Sequence, residues 1–261
     1  MKRMVALVLG VVLALASTGI AGATGNRQTS AGKRRIDHRI SQAEKVMKQY
    51  ATGVDDATLD AELAQLGWEK IQLESSISPM SSAGSGSVTP LGVYRQTSGS
   101  YLYLVSGKWA WNAGAVYDSY YTPDDYVGLG LVDGNSNALT NYPPVNLGIN
   151  VYDKAGTLYS LAGNAIGASQ SGARYQFTDN MSYPNSIGDH GTVWFFLNGK
   201  PNSATGTYWL NIEWHHTFGS TYGLQSVILS FPWSLTATFA NNQPPKEWAA
   251  FQQQQVSSTA W

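Results

Sequence analysis

The residues best placed to do chemistry fall on one short run, Gly206 to Phe218. Read at a two-residue period, one side carries Tyr208, Leu210, Ile212, Trp214, His216 and Phe218, and the other Thr207, Trp209, Asn211, Glu213, His215 and Thr217. The first set reads as a core face. In the second, an indole stands in line with an amide, a carboxylate and an imidazole. A sugar ring needs such a surface: an aromatic plate for its apolar C–H face and polar groups for its hydroxyls. Trp209, Asn211, Glu213 and His215 are therefore candidate ligand-binding residues. The plainer reading is an antiparallel sheet with one solvated face, on which Trp209 packs under a loop. Glu213 and His215 could also share a divalent ion with His190 or Asp189. A Glu-x-His pair arises readily on any wet strand, so no metal site is assigned and no cofactor is identified.

A second constellation runs from Tyr117 to Tyr126 and reads as a loop feeding a strand at Tyr126–Val132. Tyr120, Tyr121, Asp124 and Asp125 could form a recognition surface of rigid aromatic and acidic contacts. The carboxylates could hold calcium, although their spacing matches no EF-hand loop. The alternative is a turn that Asp124 caps while the tyrosines cover a sheet edge. Trp109 and Trp111 share one strand face about 7 Å apart. That suits successive contacts along an oligosaccharide, but at least one of the two reads as core.

Catalytic signatures are scarce. Beyond residue 90 there is no G-x-S-x-G elbow, and the chain has no H-E-x-x-H, phosphate-binding P-loop or dinucleotide fingerprint. Glycoside hydrolysis uses two carboxyl groups, and the only glutamates beyond residue 90 are Glu213 and Glu247. The site reads as non-catalytic.

The elements that must position these residues follow from composition. Charged residues make up 13% of the 261, the formal net charge is -1, and 43% are hydrophobic, so the chain should fold and lacks the basic face that nucleic acid requires. There is no cysteine, which excludes disulfides and thiolate metal sites. Residues 1–23 carry the pattern of a secretory signal peptide: Lys2-Arg3, an apolar run from Val5 to Ala16, and a small-residue site at Ala21-Gly22-Ala23. No later segment is apolar enough to span a membrane as a helix. The mature chain is expected to be secreted.

Residues 24–74 should form a polar lead and two helices. Ile36, Ile40, Ala43, Met47 and Tyr50 make one stripe, and Leu59, Leu63 and Leu66 a second. Asp55 and Asp56 stand at the start of the second helix, and Gly67 can end it. The opposite charge of the two helices favours a hairpin that packs on the main domain or serves as a removable pro-segment. The Ser/Gly-rich residues 75–90 read as a flexible linker.

Residues 91–261 hold eight of the nine Trp and all seven Phe, in short β-favouring runs separated by turn residues. This predicts an all-β fold, an antiparallel, jelly-roll-like β-sandwich. Strands are expected at 100–105, 108–112, 126–132, 147–152, 157–162, 173–178, 192–197, 206–218, 224–231 and 233–239, with 206–231 pairing as a hairpin and a short helix after Pro245.

The leading functional reading is a secreted, non-catalytic protein that recognises glycan or cell-wall material. A second is a membrane-active toxin or bacteriocin whose hairpin a helical pro-segment masks. A third is a secreted polysaccharide hydrolase using Glu213 and an aspartate.

Overall fold

The computed structural model describes residues 30–50, 55–74, 86–98, 101–112, 124–135, 143–169, 172–179, 186–203, 205–218, 224–230, 234–239, 246–257 and 261. The region read as signal peptide, and Tyr120 and Tyr121, lie outside these residues. Two helices come first, α1 (Ser30–Gln49) and α2 (Asp56–Gln65). Twelve strands follow: β1 (Trp68–Ile71), β2 (Gly86–Gln96), β3 (Leu102–Trp111), β4 (Asp125–Asp133), β5 (Val145–Tyr152), β6 (Gly163–Ser169), β7 (Gly172–Phe177), β8 (His190–Asn198), β9 (Tyr208–Phe218), β10 (Leu224–Ser230), β11 (Ser234–Phe239) and β12 (Lys246–Val256). One five-stranded sheet has the order β1-β2-β3-β8-β5 and the other β12-β9-β4-β7-β6, while β10 and β11 pair only with each other. Every pairing is antiparallel. The all-β sandwich is as expected.

The inner faces of the two sheets share one core, with Val93, Val105, Trp109, Val193 and Phe195 from the first against Val127, Leu129, Tyr175, Phe177, Ile212 and Trp214 from the second. The first sheet is buried on its outer face as well. There Trp68, Leu91, Tyr94, Leu102, Leu104, Trp194 and Phe196 meet Ile36, Ile40, Ala43, Met47 and Tyr50 of the α1 segment and Leu59 and Leu63 of α2. Two-sided burial explains why Val193 to Leu197 reads as an unbroken apolar run rather than an alternation.

The α2 start is built as its residues dictate: the Asp55 carboxylate accepts the Thr58 N–H at 2.7 Å, and Gly67 takes φ +79° after the helix. Beyond it the helical expectation for residues 68–74 fails. Trp68–Ile71 is β1 and pairs with β2 in the first sheet. The acids of α2 reach the sheets as well as the α1 segment, whose Tyr50 hydroxyl donates to Asp56. Asp56 binds Lys108 at 2.7 Å, and Asp60 binds Lys70 at 2.9 Å and accepts the Tyr94 hydroxyl at 2.7 Å.

Four further expectations are corrected. Residues 86–90, read as the end of a linker, begin β2 and pair with Trp111 back to Gly107 of β3. Residues 157–162 make only an isolated bridge, Tyr152 with Leu158, and the strand in this region is β6. The segment after Pro245 is strand β12 rather than a helix, because the full length of β9 offers it a partner. Finally, β9 pairs with β12 and β4, and β10 pairs with β11, so 206–231 is not one hairpin.

Because α1 and α2 cover a face made of Leu102, Leu104, Trp194 and Phe196, they act as part of the core. Leu63→Ala is expected to cost about 2–5 kcal/mol of stability, read as a lower urea midpoint with an unchanged slope. A change below about 0.5 kcal/mol would show that the helices do not contribute to the cooperative unit.

Candidate functional site

Strand β9 carries the sequence-predicted site, and alternation sorts its side chains as expected: Leu210, Ile212, Trp214 and His216 face inward. The other face is not wet. Asn211 is 0%, Glu213 9% and His215 7% exposed, while Trp209 is half-buried. The solvated ligand face formed by Asn211, Glu213 and His215 is therefore corrected. The β10–β11 hairpin packs on this sheet, β10 against β7 and β11 against β9, and on β4 Gly128 and Gly130 stand beside Glu213 and Asn211 in the pairing register.

The buried polar groups find one another. His215 Nε2 lies 2.5 Å from Glu213 Oε1, its Nδ1 lies 3.0 Å from the Tyr126 hydroxyl, and its ring stacks on Tyr126 with centroids 4.6 Å apart. The amide atoms of Asn211 have no hydrogen-bond partner among the described residues. His190 does not join this group. It belongs to β8 in the other sheet, 3.0 Å from Asp189 and stacked on Tyr152.

Asp124 and Asp125 also separate. Asp124 accepts the Gln176 amide at 2.5 Å near the surface. Asp125 is fully buried and starts β4 rather than sitting in a recognition loop. Its carboxylate accepts Trp214 Nε1 at 2.9 Å and the Thr217 N–H at 2.9 Å, and it lies 3.1 Å from His216 Nδ1. Asp179 Oδ2 stands 3.0 Å from the same nitrogen. Trp111 and Trp248 flank the imidazole, with ring centroids at 4.8 and 5.2 Å. Trp111 is thus core, and so is Trp109, stacked on Phe177 at 4.6 Å.

Burial alone would depress the His216 pKa. The charges and hydrogen bonds of Asp125 and Asp179 outweigh it and push the value up to about 10. Asp125, Asp179 and His216 offer ligand atoms within 4.8 Å of one another, a donor set that a divalent ion accepts. As they stand, they are joined as an imidazolium between two carboxylates. The sequence signal for this group is slight: an imidazole on an apolar face and an aspartate ahead of an apolar strand.

A second site had no sequence signal because its residues come from four separated places. Glu69, Arg95, Gln96, Thr97, Tyr101, Tyr103 and Trp261 line an open cleft of about 370 Å³. Tyr101 is 61% exposed. Arg95 and Glu69 pair at 2.8 Å across β1 and β2, and the Trp261 indole stacks on Tyr208 at 4.5 Å. Tyr103 Oη and Trp261 Nε1 are buried and have no hydrogen-bond partner among the described residues.

No protein-family model matches the chain, and no curated protein matches it. Among solved structures it is similar to a chain from work on the pH-induced modulation of Streptococcus parasanguinis adhesion by Fap1 fimbriae. The identity is 13% over 64% of this chain and 78% of that one, with a TM-score of 0.28. It is also similar to a chain described as a pore forming protein, at 10% identity over 70% of this chain and 97% of that one, with a TM-score of 0.33. At these scores the superpositions carry no argument about what this chain does. Among the described residues, no helix is long and apolar enough to cross a membrane.

The His216 clamp makes stability depend on pH. The folded chain holds the imidazole proton more tightly than the unfolded chain, whose value is near 6.5. The stabilisation is complete below about pH 6.5 and is lost as pH rises toward about 10. Urea unfolding should therefore show a falling free energy across that window, and Asp179→Asn should make the decline shallower. An unchanged decline in that variant would remove Asp179 from the clamp.

Proposed function

We propose that this is an extracellular, non-catalytic binding protein that takes carbohydrate or cell-wall material in the cleft formed by Glu69, Arg95, Gln96, Thr97, Tyr101, Tyr103 and Trp261. One observation carries the reading. An exposed tyrosine ring and an indole edge a cleft whose remaining groups donate and accept hydrogen bonds, and two buried donors there have no partner among the described residues. Tyr101 can cover the apolar face of a sugar ring. Arg95, Glu69, Gln96 and Thr97 can take its hydroxyls, and Tyr103 Oη and Trp261 Nε1 supply donors that are costly to leave unpaired. The reading is supported by an aromatic and polar combination of the kind sought on β9, here drawn from separate parts of the chain. Export rests on the leader pattern at residues 1–23.

The test is retention of the full chain on insoluble polysaccharides and purified cell walls. Retention is expected for the wild type, with at least a tenfold loss for Tyr101→Ala and for Arg95→Ala. Glu213→Gln should bind as the wild type does. No retention of the wild type on any glycan, or equal retention of Tyr101→Ala, would overturn the reading.

A further inference from the structure

The opposite charges of the two helices are not spent on each other. The acids of α2 turn to the sheet and to tyrosines: Asp56 binds Lys108 and takes the Tyr50 hydroxyl, and Asp60 binds Lys70 and takes the Tyr94 hydroxyl. On α1 itself, Glu44 is half-buried and accepts the Asn146 amide of β5 at 3.3 Å. Helix α1 carries six Lys or Arg against Asp37 and Glu44, a balance of +4. Residues 50–261 carry seven against fifteen acids, a balance of -8. Positive charge is thus concentrated on one element of an otherwise acidic chain, and the nearest carboxylates are engaged elsewhere.

Helical spacing decides where these cations point. Ile36, Ile40, Ala43, Val46 and Met47 are buried in the core that the helices share with the first sheet. Arg34, His38, Ser41, Lys45 and Lys48, at intervals of four, three, four and three, fall on the ridge opposite, and all five are exposed. The ridge runs for about 21 Å, at a rise of about 1.5 Å per residue. Lys33 and Arg35 stand exposed at its head, and Asp37 is the acid exposed beside it. Among the described residues, none of Lys33, Arg34, Arg35, Lys45 and Lys48 is in an ion pair.

A row of unpaired cations with no aromatic or large apolar side chain among them selects its partner by charge. A narrow polyanion can lie along such a ridge and meet it alone. An anionic bilayer presents a plane that also faces the acidic remainder of the chain. Interfacial helices give a bilayer their apolar face, and that of α1 is held by the sheet. The ridge has no aromatic ring on which nucleic-acid bases could stack. A polysaccharide bearing carboxylates on its sugars has the chemistry that remains: a thin, hydrated strand of repeated negative charge.

We infer that the outer ridge of α1 is a second binding face, for acidic polysaccharide, held by Arg34, Lys45 and Lys48 with Lys33 and Arg35 at its head. It does not depend on the cleft. Asn150 donates to the Met47 carbonyl at 2.8 Å and so ties the end of α1 to β5, one edge strand of the first sheet. The cleft residues Glu69 and Arg95 belong to β1, the other edge strand, and its neighbour β2. The two faces can therefore be disabled separately.

The test is titration of the full chain at pH 7 into soluble polygalacturonate, neutral dextran and vesicles of phosphatidylglycerol. Binding to polygalacturonate is expected at low salt, and it should weaken at least tenfold as the screening length falls from about 30 Å at 0.01 M to about 8 Å at 0.15 M. The combined variant Arg34→Gln, Lys45→Gln, Lys48→Gln should lose at least tenfold in affinity, with the urea midpoint and retention on neutral polysaccharide unchanged. Lys200→Gln, which removes an exposed cation outside α1, and Tyr101→Ala should bind polygalacturonate as the wild type does. No binding by the wild type, tighter binding to the vesicles than to polygalacturonate, or a comparable loss in Lys200→Gln would overturn the inference. A loss in Tyr101→Ala with none in the combined variant would also overturn it, while leaving the cleft reading in place.

Discussion

The Asp125 carboxylate accepts the Trp214 indole and the Thr217 amide and stands against the His216 imidazole, three groups on four consecutive residues of the neighbouring strand. A buried carboxylate held in this way cannot be left without its partners, because its desolvation far exceeds what packing there could return. It therefore fixes the register between β4 and β9 at the place where β9 leaves the sandwich. Asp179 ties the segment after β7 to the same imidazole, and Trp248 brings in β12. With Trp111 of β3 against the same ring, five chain segments meet at His216.

Around that anchor the molecule is layered: helices, first sheet, second sheet. The three layers are joined by large apolar side chains. Trp194 and Phe196 point to the helices while Val193, Phe195 and Leu197 point to the second sheet. The polar side of β9 is buried without being apolar, and the groups there answer by bonding among themselves, as Glu213, His215 and Tyr126 do.

Local pattern was legible wherever a residue's partner lay nearby or on the same strand. The stripe Ile36, Ile40, Ala43, Met47, the Asp55 cap and the inward set Leu210, Ile212, Trp214 all emerge from spacing alone. Alternation says which residues share a face, but not what lies on top of it, and so Asn211, Glu213 and His215 read as wet. Strand β12 escaped notice because Gln252 to Gln255 have little strand preference of their own, and pairing with β9 overrides it. Strand β6, Gly163–Ser169, is an edge strand of Gly, Ala, Asn and Ser with one Ile, so nothing in it signals a strand. The cleft was out of reach for another reason: Glu69, Arg95, Tyr101 and Trp261 become neighbours only after β1 joins β2 and the chain end returns to Tyr208.

Burial on both faces makes β8 the hinge-pin of two junctions at once. Trp194 and Phe196 hold the helices while their neighbours Val193 and Phe195 hold the second sheet, so a polar group placed at one position loosens the helical layer and the same group one residue away parts the sandwich.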